Sequence, residues 1–346
     1  MTELIDRLEQ CRSLSIAEYE ALIANRTPEV AEELARRAVQ ARQVVYGNDV
    51  YIRGLVEITN ICRNDCLYCG IRKSNRNCQR YRLRPREILE CCEEGYDLGF
   101  RTFVLQGGED TWFSDDVLCK LIWQIRWKFP DCAVTLSMGE RSRASYQRLF
   151  DAGADRYLLR HETADGVHYE RLHPKKMNYF NRIRCLRDLK EIGYQVGCGF
   201  MVGSPYQTAA NIATDLKFIE AFHPQMVGIG PFIPQKDTPF GTFPAGSVEL
   251  TTYLLSIIRL IHPNVLLPAT TALGTMDPMG REKGILAGAN VVMPNLSPEA
   301  VRGKYALYDN KLSGGAESGQ NLEDLKHRME TIGCRIVIDR GDCKEL

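Results

Sequence analysis

The stretch IRGLVEITNICRNDCLYCG, residues 52–70, joins an apolar run to three closely spaced cysteines. The branched aliphatic residues of 52–59 predict a buried strand. The residues that follow are polar and loop-like, and they place Cys62, Cys66 and Cys69 just beyond the end of that strand. Three close thiols indicate a metal site, yet a structural zinc site needs a fourth Cys or His, usually as part of a second close pair. The stretch therefore poses the question of where the fourth ligand comes from.

The same order of apolar run, polar residues and helical periodicity recurs along the chain, roughly every thirty residues. Eight strands with intervening helices predict parallel βαβ units, and eight such units favour a single closed (β/α)8 TIM barrel of the α/β class over an open sheet. The predicted strands are 52–59, 102–108, 133–139, 156–163, 196–203, 226–234, 265–272 and 290–297.

Three regions are predicted around this repeat. Residues 49–298 form the barrel, and residues 1–48 have the helical periodicity of an N-terminal extension. Residues 299–346 are predicted to be a C-terminal segment that packs on the barrel. Its stretch 313–319 is rich in glycine and polar residues, which predicts a mobile loop.

Polar and glycine-rich residues mark the ends of the predicted strands. QGGED (106–110) ends the second, RHET (160–163) the fourth and ATTALGT (269–275) the seventh. Catalytic groups of (β/α)8 barrels collect at the carboxyl ends of the strands. The sequence therefore predicts one site at this end of the barrel.

Composition excludes several classes of protein. Lys plus Arg and Asp plus Glu both number 44, so the net charge is zero and gives no reason to expect nucleic acid or an anionic membrane as partner. The opening MTELIDRLEQCRSLS lacks the apolar core of a secretory signal, which predicts a cytoplasmic protein. The thirteen cysteines are odd in number and irregularly spaced beyond the first three, which argues against a disulfide framework.

Two metal sites fit three cysteines. Iron–sulfur cubanes take a thiolate on each iron, so three thiolates would leave one iron open to an outside ligand, as reductive cleavage of S-adenosylmethionine requires. Alternatively, His161 could complete a zinc site, and the chain would then be a non-catalytic zinc protein or assembly scaffold that has kept the barrel.

The C-x3-C-x2-C spacing after a first barrel strand, with Tyr68 before the third cysteine, resembles the radical S-adenosylmethionine superfamily. The resemblance implies one 4Fe–4S cluster on Cys62, Cys66 and Cys69, with S-adenosylmethionine on the open iron and Tyr68 against its adenine. It assigns the methionine amine to the GGE stretch, the methionine and ribose ends to a serine and a glutamate, and the methionine carboxylate to an arginine. The matching positions are Gly107, Gly108, Glu109, Ser137, Glu162 and Arg182.

Nearly the whole chain is similar to the HydE family of FeFe-hydrogenase maturases. The similarity is carried by RYRLRPREI (80–88), TFVLQGGEDTWF (102–113), MVGIGPFIPQKDTP (226–239), LPATTALGT (267–275) and GREKGILAGANVVMPNLSP (280–298). It implies that the adenosyl radical attacks the cysteine sulfur of an iron–carbonyl–cyanide–cysteine complex, on the way to a diiron precursor of the H-cluster. A partner radical maturase would deliver this complex, a maturation GTPase or scaffold would act downstream, and a reducing electron donor would be needed.

The same family resemblance nominates the residues near the substrate. Arg160 is implied to bind the substrate and to take part in catalysis, Thr270, Thr271 and Ala272 to hold its anionic group, and Tyr305 and Tyr308 to lie beside it as catalytic residues. An arginine inside a barrel is costly unless an anion pairs with it. The alternative for Arg160 is a structural ion pair with a neighbouring Asp or Glu.

Two related enzyme activities are alternatives to the maturase function, and individual residues bear on each. A methylornithine synthase-like mutase acting on an amino acid is the alternative function, since such a substrate would also need an arginine and hydroxyls. Biotin synthase is disfavoured because Cys132 and Cys198 each fall one residue from the expected cluster positions, and Val104 stands where a third cysteine is expected. Some members of the HydE family carry a second set of three cysteines just after the segment that matches YALY (305–308). Residues 309–329 here contain no cysteine, and Cys334 and Cys343 lie too far along the chain and too far apart to replace that set, so we predict no second cluster.

Overall fold

A ring of parallel strands forms the centre of the structure, a computed structural model that describes residues 1–314 and 318–345. The strands are β1 Asp49–Ile52, β2 Gly54–Thr59, β3 Thr102–Gly107, β4 Ala133–Ser137, β5 Arg156–Leu158, β6 Gln195–Cys198, β7 Met201–Val202, β8 Met226–Val227, β9 Gly230–Pro231, β10 Val291–Val292 and β11 Arg335–Val337.

Hydrogen-bonded pairing follows the ring in the order β2-β3-β4-β5-β6-β8. Isolated parallel bridges continue it from Met226 to Leu266, from Pro268 to Val291, and from Asn295 back to Leu55 in β2. The predicted (β/α)8 barrel is therefore confirmed. All six residues of β2 are buried, as expected of a parallel strand covered on both faces.

Helices surround the ring. They are α1 Thr2–Cys11, α2 Ile16–Ala24, α3 Pro28–Tyr46, α4 Pro85–Asp97, α5 Asp115–Lys128, α6 Arg143–Asp151, α7 Gly166–Leu172, α8 Tyr179–Ile192, α9 Ala209–Phe222, α10 Val248–Ile261, α11 Thr271–Met276, α12 Gly280–Leu286, α13 Glu299–Arg302 and α14 Leu322–Thr331. Among the described residues, no helix combines the length and apolar character needed to cross a bilayer.

Capping residues in the loops fix where the barrel helices begin. The side chain of Ser114 accepts the N–H of Val117 at the start of α5, and Ser247 does the same for Leu250 at α10. Asn178 caps α8, which ends at Gly193 with φ +109°, a backbone conformation that suits glycine. Each loop after a strand therefore has a defined exit into its helix.

The N-terminal helices lie outside the ring, where α2 packs on α9 and α3 on α10. Because α3 covers it, α10 is buried along almost its whole length. The boundaries predicted for the three regions remain predictions.

Several predicted strands differ from the observed ones: 226–234 is divided into β8 and β9, 156–163 and 290–297 are shorter than predicted, and three others are interrupted or replaced. The first is interrupted at Arg53, so that β1 pairs with β10 and β11 while β2 pairs with β3. The predicted strand 196–203 breaks at Gly199, where a Cβ would stand 2.0 Å from the carbonyl oxygen of Gly228. The continuous strand predicted over 265–272 is wrong, since α11 begins at Thr271.

The C-terminal part of the chain reaches both ends of the barrel. Residues 304–311, here called the cover segment, lie over the carboxyl ends of the strands, where the N–H of Gly70 donates to Leu307 and that of Asp309 to Pro234. Residues 335–345, the floor segment, lie across the opposite end, where the hydroxyl of Thr102 donates to the carbonyl of Arg340. Of the loop predicted at 313–319, residues 315–317 lie outside the described residues.

Candidate active site

A cavity of about 380 Å³ lies at the carboxyl ends of the strands, under the cover segment. All of the residues predicted for cluster, cofactor and substrate line this one cavity: Cys62, Cys66, Cys69, Tyr68, Gly107, Gly108, Glu109, Ser137, Arg160, Glu162, Arg182, Thr270, Thr271, Ala272, Tyr305 and Tyr308. The structure thus brings together positions spread over more than half the chain.

Backbone contacts hold the cysteine loop in place. The Sγ of Cys62 accepts the N–H groups of Asn64 and Glu109, each at 3.4 Å. Gly108 has to be glycine, because a Cβ there would stand 2.3 Å from the carbonyl oxygen of Ile61. The N–H of Leu67 donates to Leu172 at 3.0 Å, which fastens the loop to the end of α7.

Arg80, in the RYRL stretch, is a support for this loop that sequence reasoning missed. Its guanidinium donates to the carbonyls of Asn60, Ile71, Arg72 and Asn75 at 2.6–3.1 Å. The planar guanidinium group of Arg80 thereby links the two sides of the cysteine loop, which the ammonium group of a lysine could not do with the same geometry.

The three thiols fit an iron–sulfur cluster better than a single zinc ion. Burial raises the pKa of Cys62, Cys66 and Cys69, that of Cys69 to about 12, so a cation must displace their protons. Within the described ranges, no three Cys, His, Asp or Glu side chains are grouped closely enough to hold one metal ion. Thiolates around several irons stand farther apart than the ligands of one ion, and soft sulfur donors suit iron–sulfur chemistry.

His161, the alternative zinc ligand, is directed elsewhere. Its Nδ1 accepts the N–H of Gly199 at 3.2 Å, and its Nε2 lies 3.3 Å from the Asp215 carboxylate. The ring packs on Phe200 and Phe218, between strand and helix. The alternative of a Cys3His zinc site through His161 is not supported by this arrangement.

Tyr68 is fixed by a histidine that sequence reasoning did not nominate. The Tyr68 hydroxyl lies 3.2 Å from Nε2 of His173, whose Nδ1 lies 2.9 Å from the carbonyl oxygen of Tyr169. Burial lowers the pKa of His173 to about 3, so the ring is neutral. Nδ1–H therefore donates to Tyr169, and Nε2 accepts from Tyr68.

The residues GGE border the cysteine loop. The carbonyl of Glu109 accepts the N–H of Arg63 at 3.1 Å, and that of Gly108 accepts the N–H of Asp110 at 2.8 Å. Each carbonyl oxygen keeps a second lone pair. The Asp110 carboxylate is in turn held by both Nε and Nη2 of Arg82, at 2.7 and 2.8 Å.

Glu162 has an unusual backbone conformation. Its φ is +66°, in the left-handed region, and its N–H donates to the carbonyl of Gly199 at 3.0 Å. A non-glycine residue in this conformation is strained and is often found at functional sites. Oε2 of Glu162 is buried and has no hydrogen-bond partner among the described residues.

Arg182 and Arg160 meet beside Glu162. Arg182 donates through Nε to Glu140 and through Nη1 to the carbonyl of Arg160, both at 2.6 Å. Nη2 of Arg160 lies 3.3 Å from Oε2 of Glu162, an ion pair without hydrogen-bond geometry. The alternative that Arg160 pairs with a neighbouring acid is therefore partly right, although Nε and Nη2 of Arg160 are buried without a hydrogen-bond partner in the described part of the chain.

Thr270, Thr271 and Ala272, at the start of α11, also line the cavity. Thr270 precedes α11, and Thr271 and Ala272 are its first two residues. The Oγ1 of Thr270 is buried and makes no hydrogen bond with a described residue. An unpaired hydroxyl in such a place is costly unless a ligand bonds to it.

A buried ion pair under the cover segment was also missed. Nζ of Lys311 lies 2.8 Å from Oε1 of Glu57 and 5.5 Å from the ring centre of Tyr305. Burial raises the pKa of Glu57, an effect that Lys311 and Asn295 oppose. A charged residue within the apolar run GLVEIT was the available sequence signal, whereas Lys311 lies in a loop with no periodicity.

Comparison with known proteins decides the family. Residues 56–219 match the Radical SAM superfamily. The FeFe hydrogenase maturase subunit HydE of Thermotoga maritima is 43% identical over 344 residues, which cover 99% of this chain and 98% of the relative. The chain belongs to the HydE family. It is a radical SAM enzyme of the HydE maturase type, as the sequence predicted.

More distant relatives share the architecture. The 3-methylornithine synthase of Methanosarcina acetivorans is 28% identical over 92% of this chain and 89% of its own length. A crystal structure of methylornithine synthase superposes with a TM-score of 0.82 at 24% identity and covers 96% of this chain and 97% of that one. This chain and methylornithine synthase thus have one fold in common.

The four cysteines considered for a second cluster are not among the residues that line the cavity. Sγ of Cys132 lies 3.9 Å from the carbonyl oxygen of Phe100, and Cys198 is buried at the end of β6. Cys343 bonds to the carbonyl of Asn264 and Cys334 lies beside Arg42, both near the floor of the barrel. The absence of a second cluster remains a prediction.

Proposed function

We propose that this HydE-family protein holds one 4Fe–4S cluster through Cys62, Cys66 and Cys69 and cleaves S-adenosylmethionine during FeFe-hydrogenase maturation. The observation that carries the proposal is that one covered cavity unites three half-buried cysteines with buried polar atoms that make no hydrogen bond with a described residue. When bound, the cluster supplies the electron that breaks the sulfonium C–S bond and gives a 5'-deoxyadenosyl radical.

The residues around the thiols would hold S-adenosylmethionine. Tyr68, held by His173, offers an aromatic face to adenine. Glu162 offers a buried carboxylate oxygen to ribose hydroxyls, and Arg182 offers its guanidinium to the methionine carboxylate. Gly107, Gly108 and Glu109 would accept from the methionine amine, and Ser137 would bond to the methionine end.

The rest of the cavity would take an iron–carbonyl–cyanide–cysteine complex as substrate. Arg160 and Thr270 have buried donors that make no hydrogen bond with a described residue, which suits an anionic group, and Thr271 and Ala272 adjoin them. Tyr305 and Tyr308 would place the substrate so that the radical attacks the cysteine sulfur.

Other components follow from this assignment. A second radical maturase would make the iron complex, and a GTPase or scaffold protein would receive the diiron product. A low-potential donor would reduce the cluster. We place all of these steps in the cytoplasm.

Anaerobic turnover tests the proposal. Reconstituted protein with S-adenosylmethionine and dithionite should form 5'-deoxyadenosine, and Cys66→Ser should abolish it. Adding the iron–cysteine complex should speed formation and consume the complex. A colourless, zinc-loaded protein without this activity would contradict the proposal and support the scaffold alternative.

The second candidate is a mutase acting on an amino acid, favoured by the shared fold and by an arginine and an acid within one cavity. Lysine would then replace the iron complex as the compound that stimulates 5'-deoxyadenosine formation and would be converted to methylornithine. Mass spectrometry of the products separates the two activities.

A further inference from the structure

The surface outside the cysteine loop carries a strong excess of positive charge. Residues 62–80 and 166–178 together hold eight cations and two acids, in a chain whose two charges balance at 44 each. The cations are Arg63, Arg72, Lys73, Arg76, Arg80, Arg171, Lys175 and Lys176, and the acids are Asp65 and Glu170.

These two segments form one surface. The N–H of Leu67 donates to the carbonyl of Leu172, and the Tyr68 hydroxyl meets His173. Sγ of Cys66 lies 3.7 Å from Sδ of Met177, the residue that follows Lys176. The second segment therefore lies directly against the thiols.

Five of the cations form no ion pair within the described part of the chain, although the Asp237 carboxylate lies near Arg76, 2.7 Å from Nδ2 of Asn77. The side chains of these five cations are exposed, and we call them the basic surface: Lys73, Arg76, Arg171, Lys175 and Lys176. Asp65 is already neutralised by Arg72 at 2.7 Å, so Glu170 is the exposed acid nearest to them in sequence.

Apart from Arg171, whose guanidinium lies 5.2 Å from the ring centre of Tyr206, these cations are expected to add little to the stability of the folded chain. Like charges repel one another, and exposed cations do not strengthen a barrel. They do attract acidic partners and accelerate their association, by roughly 10- to 1000-fold at low salt. Because the surface adjoins the cysteines, the acidic partner is expected to be one that acts on the cluster.

We infer that the basic surface docks a small, acidic electron-carrier protein, a flavin or iron–sulfur protein. The inference rests on the proposed function, in which the cluster must gain one electron before each cleavage. The reduced carrier loses one electron and the cluster gains it. Docking beside Cys66 and Met177 would bring the carrier to the face of the barrel that lies against the thiols.

A charge-reversal variant tests this. Lys73→Glu, Lys175→Glu and Lys176→Glu together reverse three charges on the basic surface. The matched control, Lys120→Glu, Lys128→Glu and Lys326→Glu, makes the same change of net charge on α5 and α14, where two of the lysines form only exposed ion pairs. Reconstituted protein of each kind is assayed for 5'-deoxyadenosine with dithionite and with reduced acidic flavodoxin.

With flavodoxin below saturation, the basic-surface variant should be at least about 10-fold slower than wild type, and the control variant should not. With dithionite all three should agree within about twofold. Raising the salt concentration should slow the wild type with flavodoxin and barely affect the basic-surface variant. An equal loss with both reductants, or an equal loss in the control, would overturn the inference.

Direct binding separates this inference from the proposed function. Flavodoxin titrated onto the reconstituted proteins at low salt should bind wild type and control about 10-fold more tightly than the basic-surface variant, whether or not turnover occurs. Equal binding to all three overturns the docking surface. Binding of heparin without binding of flavodoxin also overturns it, since the surface would then be a general polyanion site. Absence of turnover with dithionite refutes the proposed function alone.

Discussion

Arg156 and Arg160 stand four residues apart, at and just beyond the two ends of β5, and their surroundings are opposite. Arg156 is fully buried at the floor, and all three of its nitrogens have partners, namely Gln195, Thr102, the carbonyl of Arg340 and the carboxylate of Asp342. Arg160 lines the cavity, and two of its buried nitrogens have no hydrogen-bond partner among the described residues. A buried arginine that is satisfied serves the fold, whereas one that is left unsatisfied awaits a ligand.

The same contrast extends to the two ends of the barrel. At the floor, Arg340 donates to Asp155 and to the carbonyl of Cys132, and Gln195 donates to Asp342. At the cavity, Oε2 of Glu162 and Oγ1 of Thr270 make no hydrogen bond with a described residue. The floor is therefore paired mainly within the chain, with Nε of Arg53 as an exception, whereas several cavity atoms are left for ligands.

Arg156→Met should give the largest change in stability. Removing one partner of a buried, hydrogen-bonded charge costs about 3–5 kcal/mol, and here it strips Thr102 and Gln195 of partners as well. Urea unfolding of the apoprotein measures this free energy. The rate of 5'-deoxyadenosine formation per folded molecule should stay near that of wild type. A fall in this rate with an unchanged free energy of unfolding would show that Arg156 serves the reaction and not the fold.

Arg160→Met should show the opposite pattern. The unfolding free energy should change by less than about 1 kcal/mol, because the replaced nitrogens have no hydrogen bonds to lose. Consumption of the iron–cysteine complex should fall about 100-fold, equal to about 2.7 kcal/mol of transition-state binding. Arg160→Lys serves as the control that keeps the charge. A loss of stability as large as that of Arg156→Met would show that Arg160 is structural.

Arg80→Lys tests the support of the cysteine loop. Lysine keeps the charge but cannot bond to four carbonyls at once, which should lower the unfolding free energy by about 2 kcal/mol. The iron bound after reconstitution should fall as well, and Arg76→Lys, in the same region but exposed, is the matched control. Unchanged iron content in Arg80→Lys would show that the hydrogen bonds of Arg80 are not needed to hold the cysteine loop for iron binding.

His173 should give the smallest effect, one that depends on pH. Its folded pKa of about 3 lies below the ordinary value near 6.5, so its contribution to stability is complete above pH 6.5 and is lost as pH falls below it. Between pH 7 and 5.5, wild type should lose about 1.4 kcal/mol more than His173→Gln. If the free energies of unfolding of the two proteins changed equally with pH, His173 would be charged in the folded state at low pH, as it is in the unfolded chain.

The sequence predicted the barrel and the residues of the cavity because both depend on local patterns. Apolar runs followed by polar residues identify strand ends, and strand ends of a parallel barrel meet at one rim. Cys62, Cys66 and Cys69 therefore line the same cavity as Glu109 and Glu162, while their roles remain predictions. The family resemblance supplied the residues that no pattern singles out, such as Tyr305 and Thr270.

What escaped prediction depends on contacts between distant parts of the chain. Lys311 pairs with Glu57 across 254 positions in the chain, and His173 reaches Tyr68 from the far end of α7. No periodicity marks either partner. The break of the first strand at Arg53 also depends on β11, which pairs with β1 from the C-terminal region.

The cover and floor segments both follow the last barrel strand, β10, in chain order. During synthesis the ribosome therefore completes the ring of strands before it makes either closure. A nascent barrel passes through a stage in which its thiols are in place and its mouth is still open. The order of translation thus gives the cysteine loop a period of free access before Leu307 bonds to Gly70 and Lys311 to Glu57.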